Sequence, residues 1–286
     1  MGIDRSFPFI RTSEPFANLL VADLSTPNSF TNLISVDHIS HVIHLAANSD
    51  IKASSLNPEL ELRDTYLTTL NLVEAMNLRS SPLQSFVFAS SSAVFGITEG
   101  KIGSSTPRRP VSPYGWMKLA SEAVLENAAT KLAATVSVYR FPNVVGPFST
   151  HGVIFDLCKK ILQSPIELEV LGDGNQTKPY IHVEELVSII HKRDVTGISP
   201  RGFNVVNIGP DSLVTVRFIA EAIRELSGIN VPIRFGETPW GWPGDVPTYC
   251  FETNHSEYAQ VEISSSEGAV KAAISEVLIQ LQSGDA

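Results

Sequence analysis

The chain has 286 residues, 43% apolar and 18% charged, and its 21 Lys+Arg against 30 Asp+Glu leave a formal net charge of −9. That is the composition of a folded globular chain, and its acidic balance excludes a basic face for tracking nucleic-acid phosphates while leaving room for a small anionic ligand. Two distant cysteines, Cys158 and Cys250, exclude a disulfide framework and fit a reducing, cytoplasmic location, and no apolar run approaches a membrane-spanning length.

Short β-rich runs alternate with longer helical stretches from end to end, the pattern of parallel βαβ units, so the fold class is α/β. The first residues, Met1 to Ser6, lack the apolar core of a signal peptide; they match a loose myristoylation pattern but find a better reading below. Strands are predicted at 19–22 and 41–46. From Pro58 to Met76, the spacing of Leu60, Tyr66, Leu67, Leu70, Val73 and Met76 predicts a helix. A strand follows at 86–90, and Ser112-Pro113 is an N-cap with proline at the first helical position. Further on come a strand at 135–140, a helix around Cys158, a helix opened by Glu184-Glu185, a strand at 203–208 and helices at 215–226 and 269–281. Proline and glycine cluster at 142–152 and 236–247, and the first cluster marks a boundary between a cofactor half, 1–147, and a ligand half, 148–286. His38, His41 and His44 are three apart along a strand pattern, which sends neighbours to opposite faces, so a shared metal is not expected.

The chemistry concentrates in Ser112-Pro113-Tyr114-Gly115-Trp116-Met117-Lys118. Its Y-x-x-x-K spacing at a helix start puts a phenol and an ammonium on one helical face. A free tyrosine titrates near pH 10, and a nearby cation stabilises the phenolate enough for general-base work near neutrality. Upstream, Ser85 to Gly96 is a buried strand running into the serines Ser90, Ser91 and Ser92, hydroxyls at a strand's carboxyl end where open α/β sheets bind ligands. The strand His41 to Ala46 ends in small residues that let a cofactor approach the backbone. Downstream, Arg140-Phe141-Pro142-Asn143-Val144-Val145-Gly146-Pro147 ends another strand, followed by Gly172 to Glu185.

In this order the five segments resemble the NAD-dependent epimerase/dehydratase family of extended short-chain dehydrogenases/reductases. The resemblance implies a Rossmann-type doubly wound parallel sheet binding NAD. It also implies a smaller C-terminal α/β domain for a nucleotide-diphosphate sugar, with 178–192 crossing back to the first domain, and a homodimer. Ser91, Tyr114 and Lys118 match the family's catalytic residues. Asp4, Asp23, Leu24, Leu45, Ala46, Ala47, Thr65, Tyr114 and Lys118 match cofactor positions, and Ser92, Asn143, Gln176, Lys178 and Tyr180 match substrate positions. Family dehydratases carry Asp-Glu where this chain has Ser92-Ala93, which disfavours elimination of water.

Three departures stand out. The family's Gly-rich pyrophosphate turn is absent; Gly96, Gly100 and Gly103 lie in the wrong place for it and read as a flexible active-site loop. Gly2 to Arg5 resembles the end of the family's second strand, with Asp4 on the adenosine ribose, so the chain is expected to start inside the domain. Losing about five buried residues of a central strand, roughly 1.5 to 3 kcal/mol each, predicts an unstable or cofactor-free chain. Thr65 replaces the usual asparagine near the nicotinamide. Trp240 and Trp242, before Pro243-Gly244-Asp245, replace a diphosphate-clamping arginine, leaving Lys178, Arg217 and Arg234 as cations for that place.

The resulting expectation is a nucleotide-sugar 4-epimerase acting by transient oxidation of a sugar hydroxyl. The alternatives are a truncated non-catalytic or regulatory chain, and a nucleotide-sugar reductase or dehydrogenase of the same family.

Overall fold

A computed structural model describes residues 1–6, 19–48, 57–163, 166–197, 199–238, 248–252 and 261–283. The chain divides into two compact units whose segments interleave. The first is Met1–Gly96, Arg108–Arg140 and Ser199–Val206; the second is Ile97–Pro107, Phe141–Ile198 and Asn207–Ala286. The segment 178–192 falls within the second unit, and 199–206 is the segment that returns to the first.

In the first unit, strands β1 (Gly2–Asp4) and β2 (Leu19–Val21) pair in parallel. A four-stranded sheet has the order β11-β6-β4-β3, from β3 (His41–His44), β4 (Leu83–Ala89), β6 (Ala133–Arg140) and β11 (Gly202–Asn207). β3, β4 and β6 run parallel, with Val42 opposite Phe86 and Phe86 opposite Val136. β4 and β6 are near-continuous apolar runs because helices cover them; Phe86, Phe88, Val136 and Val138 are fully buried, at about 1.5 to 3 kcal/mol each.

The helical stretch predicted from Pro58 to Met76 is interrupted. α1 (Pro58–Glu61) and α2 (Thr68–Met76) flank a wider π-helical turn at Leu62–Leu67. Threonine chemistry accompanies the break: the Thr68 hydroxyl donates to the Asp64 and Thr65 carbonyls and that of Thr69 to the Thr65 carbonyl, competing with the regular ladder. α3 (Pro113–Leu132) begins where Ser112 accepts from the Gly115 N–H at 3.2 Å.

In the second unit, α4 (Val153–Gln163), α6 (Val216–Ser227) and α7 (Ser266–Gln282) share a core centred on Cys158, Ile161, Ile219, Ile223 and Ile274. α5 (Val183–Ile190) is capped by His182. Short strand pairs complete the unit: β7 (Asn143–Val145) with β10 (Tyr180–His182), β8 (Leu168–Val170) with β13 (Ile233–Phe235), and β9 (Thr177–Lys178) with β12 (Val214–Thr215).

The glycine loop contains a short strand pair. Lys101–Ile102 forms β5 and pairs with β14 (Cys250–Phe251), anchored by buried Ile102, while a Cβ on Gly103 would sit 2.2 Å from the Glu252 carboxylate. Burial pushes the Cys158 thiol up to about 12, so it is an inert core group. No helix among the described residues is long and apolar enough to cross a membrane.

Candidate active site

Tyr114, Lys118 and Glu122 recur every four residues along one face of α3. The Lys118 ammonium is 5.7 Å from the centre of the Tyr114 ring and 4.9 Å from that of Phe88, and it donates to the Ala89 carbonyl at 2.7 Å. Lys118 is only 2% exposed. Burial pulls its pKa down from 10.5 to about 8, opposed by the carboxylates of Glu61 and Glu122. Tyr114 is half-buried.

Just beyond β4, Ser91 caps a single tight turn, Ser92–Val94, where its Oγ accepts from the Ala93 N–H at 3.1 Å and keeps its own O–H to donate. Ser92 opens that turn and is buried. Gly115 lets α3 approach this turn closely: a Cβ there would meet the Ala93 carbonyl oxygen at 2.5 Å and the Pro110 Cβ at 3.0 Å. The first turn of α3, which carries Tyr114, is thus pressed against the turn that follows Ser91.

A buried polar network, unforeseen from sequence, supports this corner. Arg140, the last residue of β6, makes a two-pronged pair with Glu122, Nε to Oε1 at 2.9 Å and Nη2 to Oε2 at 2.5 Å, and Ser90 donates to the same carboxylate. The Arg140 guanidinium also lies 5.3 Å from the centre of the Phe95 ring. The sequence signal was Glu122 at i+8 from Tyr114; its partner is visible only once β6 lies against α3.

The expected cofactor residues divide by environment. Asp4 and Asp23 are exposed just at or beyond the carboxyl ends of β1 and β2, and each accepts from a backbone N–H two residues on, Ser6 and Ser25. Leu24 is a core residue whose carbonyl accepts from Asn71. Leu45, Ala46 and Ala47 follow β3: Leu45 is exposed, and Ala46 packs on the core and accepts from Thr68. Thr65 is fully buried and differs from the expectation. Its hydroxyl donates to Glu61 at 2.6 Å and accepts from the Asn48 N–H at 3.2 Å, so its proton is already committed within the protein.

The histidines have separate partners: His41 meets Ser85 and His44 meets Thr69. His44 is buried and held neutral, its pKa lowered to about 3 by burial and by the Lys118 charge.

In the second unit, Asn143 is exposed on β7 and Lys178 lies on β9 beside Val214. Gln176 is 7% exposed, and its side-chain amide nitrogen has no partner among the described residues. Tyr180, also expected to bind substrate, is buried and packs in the unit's apolar core. Of the proposed substitute cations, Arg217 stacks 3.8 Å from the centre of the Phe235 ring and donates to the Asp173 carbonyl, while Arg234 pairs with Glu167 and Glu169. Trp240, Trp242 and Pro243-Gly244-Asp245 lie outside the described residues.

The site is thus a parallel α/β sheet carrying a tyrosine–lysine helix that starts beside a serine turn. The model of the NAD dependent epimerase/dehydratase family matches residues 2–209, and the chain belongs to that family, which is one of enzymes with Rossmann-type folds. The protein named Uncharacterized UDP-glucose epimerase YtcB, from Bacillus subtilis, is 28% identical over 248 residues, 85% of this chain and 72% of that protein. A crystal structure of a UDP-galactose 4-epimerase matches with a TM-score of 0.80 at 26% identity, covering 94% of this chain and 86% of the other. MoeE5 in complex with UDP-glucuronic acid and NAD matches with a TM-score of 0.78 at 26% identity, covering 98% and 90%.

Proposed function

We propose that the chain is an NAD-dependent nucleotide-sugar 4-epimerase that works by transient oxidation of a sugar hydroxyl. The observation that carries the reading is the buried Lys118 ammonium 5.7 Å from the Tyr114 ring centre, one helical turn apart. The likeness to a UDP-galactose 4-epimerase, and to a protein holding NAD with a UDP-sugar, supports it. Ser92-Ala93 offers no carboxylate for acid-assisted elimination, which favours epimerisation over dehydration.

The residues present fit NAD at two points. Lys118 has three N–H donors and, among the described residues, one hydrogen-bonded acceptor, the Ala89 carbonyl, which leaves donors for the hydroxyls of a ribose. The exposed Asp4 carboxylate, at the end of β1, suits the hydroxyls of the other ribose. Ala46 and Ala47 place little bulk beyond β3.

When bound, NAD supplies the hydride acceptor for the sugar carbon and later the hydride donor. Tyr114, as phenolate, takes the proton of the sugar hydroxyl and returns it when the hydroxyl re-forms. Lys118 keeps that phenolate accessible near neutral pH, and the Ser91 O–H donates to the same sugar oxygen. Asn143, Gln176 and Lys178 are assigned to the nucleotide diphosphate.

Incubating the chain with NAD and either UDP-glucose or UDP-galactose tests the reading. Interconversion of the two is expected. Accumulation of NADH with an oxidised sugar would shift the assignment to a dehydrogenase, and the absence of turnover with any nucleotide sugar would overturn it.

A further inference from the structure

Glu61 ends α1 and is 0% exposed, in the same unit as Tyr114 and Lys118 and on a helix that packs against α3. A buried carboxylate needs donors or a counter-charge. Its donors are neutral: the Asn48 side-chain amide reaches Oε1 at 2.7 Å and the Thr65 hydroxyl reaches Oε2 at 2.6 Å. The wide turn at Leu62–Leu67 begins directly after Glu61 and contains Thr65, whose hydroxyl also accepts from the Asn48 N–H. Thr65 thereby bridges Glu61 to the backbone beyond β3.

Lys118 presents the complementary case, a buried ammonium whose hydrogen-bond acceptor is a neutral carbonyl. The carboxylates whose charge acts on it are Glu122 on its own helix and Glu61 on α1, which packs against α3; Tyr114 on its own helix and His44 on β3, which shares the Phe88 ring with Lys118, are the other titratable groups around it. His44 is neutral, and Glu122 is already matched by the two-pronged Arg140. Of these two carboxylates, Glu61 is the one with no cation paired to it among the described residues.

We propose that Glu61 is a positioning residue for the Tyr114–Lys118 pair, locking the Asn48–Thr65 junction and supplying the counter-charge that keeps the Lys118 ammonium charged. It rests on the proposed function only in that the Tyr–Lys pair is its object. The residue does not touch substrate; it acts through Lys118.

The test is the titration of Lys118 in the intact chain without added nucleotide, followed by pH-dependent labelling with an amine-reactive reagent and read at Lys118 by mass spectrometry. The wild-type midpoint is expected near 8. In the isosteric Glu61→Gln variant it should fall by roughly half a pH unit or more, since a negative charge acting on the ammonium is lost. Glu61→Asp, which retracts the charge, should shift it less and in the same direction. An unmoved midpoint in folded Glu61→Gln, or in Glu61→Asp should the glutamine variant not fold, overturns the proposal. Because the readout needs no turnover, an absent shift leaves the epimerase reading standing, and an inactive chain still yields the shift.

Discussion

The Lys118 ammonium sits 5.7 Å from the Tyr114 ring centre on one face of α3, and its hydrogen-bond acceptor is the carbonyl of Ala89, the last residue of β4. That bond ties the helix carrying the base to the strand that leads into Ser91. Two effects oppose each other at Lys118: burial favours the neutral amine, while Glu61 and Glu122 favour the ammonium. Burial is the larger, which places the titration near the working range of an enzyme.

This gives opposite pH trends for activity and stability. The ammonium assists Tyr114 only while protonated, so kcat should fall above about pH 8. Between about 8 and 10.5 the unfolded chain binds more protons at this group than the folded chain, so its contribution to stability rises with pH. The shift corresponds to about 3 kcal/mol. Denaturant unfolding of wild type and Lys118→Met should show the wild type gaining relative to the variant by this order across that window. A flat difference would contradict it.

Gly115→Ala tests the contact between α3 and the Ser92–Val94 turn. Alanine gains up to about 1 kcal/mol of helix propensity, but its Cβ would sit 2.5 Å from the Ala93 carbonyl oxygen, and overpacking of this kind costs about 1–3 kcal/mol. A net loss of stability is expected, with a fall in kcat larger than any rise in KM because the Tyr114 turn must move. Thermal melts and steady-state kinetics check both.

The Glu122–Arg140 pair is buried on both sides, so removing one partner strands a charge. Arg140→Met should destabilise the chain by about 3–5 kcal/mol. The double variant Glu122→Met/Arg140→Met should recover much of that loss. Denaturant unfolding of the two variants distinguishes a buried pair from a solvated one.

NAD binding is tested by mass action: the melting temperature of the purified chain should climb with added NAD. A melting temperature unmoved by saturating NAD would contradict the cofactor assignment.

Much of the site was legible because it is local. The Y-x-x-x-K spacing and the Ser112-Pro113 cap fix Tyr114 and Lys118 on one face of a helix whatever surrounds them. The apolar runs of β4 and β6 announced covered parallel strands for the same reason. What escaped depends on contacts between residues far apart in the chain. Gly115 matters because of Ala93, Glu122 because of Arg140, and Glu61 because of Asn48 and Lys118. Thr65 looked like a weakened cofactor contact until Glu61 claimed its proton. Tyr180 shares a motif with polar neighbours, yet packing turns it into the core of the second unit.

The most direct measurement is the rate of UDP-galactose conversion to UDP-glucose, with saturating NAD, by wild type and Tyr114→Phe. Tyr114 is half-buried, so the variant should fold as wild type does by circular dichroism while kcat drops by roughly 10²- to 10⁴-fold. A folded Tyr114→Phe chain that epimerises at the wild-type rate would contradict the account.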